Sequence, residues 1–139
     1  MIRRLSLAAA MTLLPVVVAA GDASRDAILA GYAAEARRAD PAAGAFSAGR
    51  GEALFRGRWA GGDARTPSCT ACHTADPRQP GRNAKTGRPI GPVAVSVNPQ
   101  RFTDPARVEK QFARDCHSVL GRACTPLEKG DYITFMAGQ

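Results

Sequence analysis

Five consecutive residues, Cys69-Thr70-Ala71-Cys72-His73, constrain this chain more than any other feature. Two thiols three positions apart fit one turn of helix, so both sulfurs can reach the two vinyl groups along one edge of a porphyrin. The next residue presents an imidazole to the iron. In an exported chain this C-x-x-C-H spacing is the attachment site of a c-type haem. Haem c is therefore the expected cofactor, with Cys69 and Cys72 as its anchors and His73 as the proximal iron ligand. Redox or gas chemistry would then belong to the iron, with the protein setting ligands, charge and access.

The first twenty residues read as the export signal that this reading needs. Arg3 and Arg4 form a basic start, Leu5 to Val18 an apolar stretch, and Val18-Ala19-Ala20 a small-residue cleavage site before Gly21. The stretch is shorter than the about 20 apolar residues of a membrane span and contains Pro15. The expectation is a signal peptide over residues 1–20 and one haem domain over residues 21–139, periplasmic and not an integral membrane protein after cleavage. Such a compartment permits disulfides.

The chain has 19 Lys and Arg residues against 12 Asp and Glu; losing Arg3 and Arg4 leaves 17, a net charge of +5. The basic residues are mostly arginines scattered among Gly and Pro, without a basic helix face or interleaved aromatics, which argues against nucleic acid as a partner. The positive field suits haem propionates and an acidic redox partner, or is simply a solvated surface.

Helix signals recur along the mature chain. Ile28, Leu29, Tyr32 and Ala36 mark a helix over 22–38, and Ala53, Leu54 and Phe55 a shorter one over 48–58, where Gly51 either admits a close neighbour or is only a weak helix residue. Residues 76–98 read as an aperiodic loop rich in Pro, Gly and Arg, in which Pro92 could offer its carbonyl to the His73 ring. Asp104 and Pro105 open a helix expected to end near Asp115, and Thr125-Pro126-Leu127-Glu128 is a capping box for a last helix to about Ala137. No strand pattern competes, so the expected fold is all-α, with four to five short helices around one covalently bound haem.

With Cys69 and Cys72 committed, Cys116 and Cys124 are eight positions apart, which favours a disulfide over a metal site built from all four cysteines. Beside them is His117, the only histidine other than His73. A neutral imidazole is a good sixth ligand, so His73 and His117 are the expected iron ligands and an electron carrier the expected function. Met136 and Asp115 are the rivals, although Met136 reads as part of a packing stripe and Asp115 as a helix-end surface residue.

Several motifs resemble a known group. Gly51-Glu52-Ala53-Leu54-Phe55, the C-x-x-C-H run, Ser96-Val97-Asn98-Pro99 with Arg101-Phe102-Thr103-Asp104, and Cys116 followed by Gly121-Arg122-Ala123-Cys124-Thr125 are similar to the family of sphaeroides haem protein and cytochrome c double-prime. The resemblance implies a periplasmic monohaem cytochrome with a class I-like helical fold, a Cys116–Cys124 disulfide and haem held by Cys69, Cys72 and His73. It also implies a distal ligand that leaves the iron on reduction, so that oxygen or nitric oxide can bind or a small substrate be reduced. In that family the ligand immediately precedes the first disulfide cysteine, where this chain has Asp115, while His117 follows it. The choice among His117, Asp115 and water stays open at this level. The expected partners are a redox protein, such as a dihaem or membrane cytochrome, and a diatomic gas.

Overall fold

The structure, a computed structural model, describes residues 20–139. The signal peptide expected over 1–20 thus lies outside the described residues, apart from Ala20. Five helices follow in order: α1 (Ala20–Ala39), α2 (Ala48–Arg56), α3 (Thr70–His73), α4 (Pro105–Leu120) and α5 (Pro126–Ala137). Between α3 and α4, the two-residue strands β1 (Gly81–Arg82) and β2 (Pro89–Ile90) pair antiparallel, with Gly81 opposite Ile90. The fold is mostly helical, as expected. The small hairpin is a correction: strands this short carry no alternation that a sequence pattern could display.

Local chemistry starts α2, α4 and α5. The Ser47 side chain accepts the Arg50 N–H at the start of α2, and Asp104 accepts the Arg107 N–H at the start of α4, ahead of Pro105 at the first helical position. On α5 the capping box closes both ways: Glu128 N donates to Thr125 Oγ1 (3.2 Å), and Thr125 N donates to Glu128 Oε2 (2.8 Å). Each satisfies an N–H that the helix itself leaves without a partner.

α4 is longer than its sequence suggests. It continues through Leu120 and ends at Gly121, whose φ of 73° lies in the left-handed region and whose N–H donates to the His117 carbonyl. Val119 and Leu120 extend the buried stripe of Val108, Phe112 and Cys116. Cys116 and His117 are therefore helical, and the linking loop is only the short segment from Gly121 to Thr125.

The core forms where α5 packs on α2 and α1. Gly51 is the point of closest approach: a Cβ there would lie 2.0 Å from the Asp131 carbonyl oxygen, so the alternatives left by the sequence resolve in favour of a close neighbour. One residue away, Arg50 pairs with the 3 % exposed Asp131, Nε to Oδ2 at 2.7 Å, while Ser47 N donates to Oδ1 at 2.7 Å. A buried carboxylate needs such partners to offset its desolvation. The substitution Gly51→Ala should destabilise the haem-loaded protein by about 3 kcal/mol through overpacking. Guanidinium titration followed by circular dichroism checks this, and an unchanged midpoint would contradict the close approach.

Candidate functional site

A cavity of about 970 Å³ opens between the C-x-x-C-H turn and α4. Cys69, Cys72 and His73 line one side, and α4 lines another from Arg107 to Leu120. Leu54 of α2 and Tyr132 of α5 contribute to the lining, and so does the hairpin from Asn83 to Gly91. The hairpin rests on the turn: a Cβ on Gly81 would lie 1.9 Å from the Cys72 carbonyl oxygen.

Burial sets the state of the motif. Neither Cys69 nor Cys72 is part of a disulfide. Desolvation, reinforced by the charge of Asp115, pushes the Cys69 thiol up to about 12. Desolvation and then the Arg101 charge lower the His73 pKa, which favours the neutral imidazole that metal ligation requires. Among the described residues no hydrogen bond joins the His73 ring to Pro92; the turn there instead sends Val93 N (2.9 Å) and Ala94 N (3.0 Å) to the Pro77 carbonyl.

The two residues flanking Cys116 part company on α4. At about 3.6 residues per turn, Asp115 follows Val108 by two turns and shares its inward face, whereas His117 follows by two and a half and points the other way. His117 is exposed, and it too lines the cavity. The Asp115 carboxylate, bound by Arg114 at 2.6 Å, acts electrostatically on Cys69, His73, Arg101 and Tyr132 together. Met136 is wholly buried away from the cavity, and its carbonyl accepts the Val95 N–H at 3.0 Å.

These residues fit a haem. The cavity lies at the upper end of the ~300–1,000 Å³ of small-molecule sites. Two cysteine side chains and an imidazole stand together on one side of it. The Arg101 guanidinium lines it too, and Arg101 Nε is the one buried side-chain N or O atom without a hydrogen-bond partner among the described residues. Burial makes that charge costly, and a propionate is the partner that would relieve it. Sequence reading passed over this role, because one arginine among so many carries no distinguishing signal. The four-cysteine alternative falls away, since Cys116 and Cys124 are bonded to each other, their Cα atoms 5.6 Å apart.

Residues 41–136 match the family described as "Domain of unknown function (DUF1924)". The cytochrome c-type protein SHP of Cereibacter sphaeroides is 49% identical over 120 residues, covering 86% of this chain and 88% of that protein. Cytochrome c'' of Methylophilus methylotrophus is 35% identical over 105 residues, covering 76% of this chain and 73% of its own. The chain belongs to the family of SHP and cytochrome c''. It is a c-type cytochrome, and its cofactor is covalently bound haem c with its iron.

The solved structures agree on the fold. Oxidised SHP, described as an oxygen-binding cytochrome c, aligns with a TM-score of 0.75 at 46% identity, over 83% of this chain and 96% of that one. Oxidised cytochrome c'' aligns with a TM-score of 0.73 at 31% identity, over 84% and 95%. In this member of the family the disulfide ties the last turn of α4 to the start of α5 beside the cavity, since both Cys116 and Cys124 line it. Replacing both by alanine should cost about 2.5 kcal/mol by the loop-entropy relation. Denaturant titration of the haem-loaded double variant measures this, and a cost near zero would mean that helix capping alone holds the segment.

Proposed function

We propose that this cytochrome is a periplasmic monohaem protein that exchanges single electrons with a redox partner and opens the sixth position of its iron, on the α4 side, to a diatomic ligand. In this reading residues 1–20 are a cleaved leader and residues 21–139 the mature domain. When bound, the haem supplies a one-electron couple and an iron able to take a small gas. Cys69 and Cys72 would attach the porphyrin, His73 would ligate its iron, and the Arg101 guanidinium would hold a propionate. Arg88 and Arg107, exposed at the cavity and without an ion pair among the described residues, favour docking to an acidic partner face.

The observation that carries the labile position is the phase of α4. It turns His117 outward and leaves Asp115 as the group facing the C-x-x-C-H turn. A carboxylate is a harder and weaker ligand for ferrous haem iron than an imidazole, so reduction would free the position. The oxygen-binding description of SHP supports the same reading. A second reading, a permanent bis-histidine carrier, rests on His117 lining the same cavity.

Visible and magnetic-resonance spectra with a carbon monoxide titration separate the two readings. The labile reading expects high-spin ferrous haem that binds carbon monoxide, unchanged in His117→Ala, with the ferric spectrum altered in Asp115→Ala. A low-spin ferrous form that excludes carbon monoxide until His117 is removed would establish the carrier instead. Attachment is tested separately: Cys69→Ser with Cys72→Ser, produced in a host that assembles c-type cytochromes, should lose all covalent haem by mass spectrometry. Retained covalent haem would overturn the anchor assignment.

A further inference from the structure

A second, smaller cavity of about 180 Å³ lies between the loop from Asn98 to Asp104 and the first turns of α4. Arg101, Phe102, Arg107, Val108 and Gln111 line both this cavity and the large one, so they form a shared partition. Gln111 is one helical turn before Asp115 and on the same face of α4. The small cavity therefore adjoins the large one on the side that the Asp115 carboxylate occupies. Most of its lining is polar, Asn98, Gln100, Thr103 and Asp104 included, and its volume, below the ~300 Å³ at which drug-sized sites begin, has room for a diatomic molecule or a few waters.

The partition is under backbone strain. Phe102 has a φ of 61°, in the left-handed region that a bulky side chain rarely adopts. Such strain persists only where the surroundings over-determine it. Here Arg25 of α1 supplies the restraint, with Nη2 donating to the Pro99 carbonyl at 2.8 Å and Nε to the Arg101 carbonyl at 3.3 Å. The clamped backbone sets the Phe102 ring edge-on to Tyr132, centroids 6.1 Å apart, with the Arg101 guanidinium 5.4 Å from its centroid.

We propose that the small cavity is the antechamber through which a neutral diatomic ligand reaches the α4 side of the haem site, with the Phe102 ring as its gate. The proposal rests on the labile sixth position argued above. A gate set apart from the ligand position controls the rates of entry and escape together and leaves affinity almost untouched.

Flash photolysis of the carbon monoxide complex of the ferrous, haem-loaded protein tests this. Phe102→Ala should raise both association and escape by about tenfold, equivalent to about 1.4 kcal/mol off the entry barrier, with affinity held within about twofold. Gln111→Trp, which fills the small cavity, should slow association by about tenfold. Crystals of the haem-loaded protein under xenon should show the gas in the small cavity, a readout that stands even if Phe102→Ala fails to fold. Carbon monoxide binding at parental rates in Gln111→Trp, or a small cavity free of xenon, overturns the route and leaves the labile position standing. A parent protein that does not bind carbon monoxide overturns both.

Discussion

The backbone contact between α2 and α5 at Gly51 is the constraint on which the rest of the molecule depends. With no side chain at this position, the Asp131 carbonyl approaches closer than any Cβ would permit, and the Arg50–Asp131 pair secures the contact from the side. Leu54 lies one turn along α2 from Arg50, and Tyr132 directly follows Asp131 on α5. Both line the large cavity, so the crossing of two helices fixes that part of its wall. Phe55 and Ile133, wholly buried, fill the space behind it.

Against that fixed crossing, the two chemically important sides are built differently. The C-x-x-C-H turn is a short helix held by its own backbone bonds and by the hairpin, which approaches so closely that only glycine fits at position 81. α4 is a long, capped helix tied to α5 by the disulfide and by Lys129, whose ammonium bridges both oxygens of Glu109, at 3.0 and 2.7 Å. Because α4 is stiff, the rotation of each residue about its axis is not negotiable. A difference of two positions thus puts Asp115 on the Val108 side of α4 and His117 on its more exposed side, although both line the cavity.

Much of the fold was legible because capping and periodicity are local. Asp104 with Pro105 and Thr125 with Glu128 satisfy N–H groups within four residues of themselves, and the structure starts α4 and α5 where those signals lie. Other features were hidden for equally physical reasons. The end of α4 depends on Gly121 adopting a left-handed conformation and on Val119 and Leu120 finding a core to enter, and both are settled by packing. Asp131 carries no signal of its own in the sequence, because its partners Arg50 and Ser47 lie some eighty residues earlier. The unpartnered Nε of Arg101 was equally hidden, since a missing partner can be recognised only once the surroundings are known.

The sequence by itself determined the cofactor class, the helical character of the chain and the pairing of the two remaining cysteines, because each is a matter of residue identity at short spacing. Only the tertiary structure decided which group confronts the C-x-x-C-H turn across the cavity, that Gly51 is a contact point, and that the Phe102 backbone is held in a strained conformation. Those outcomes depend on the angle at which one helix meets another. That angle is set by the sum of contacts from distant parts of the chain, which no short window of residues contains.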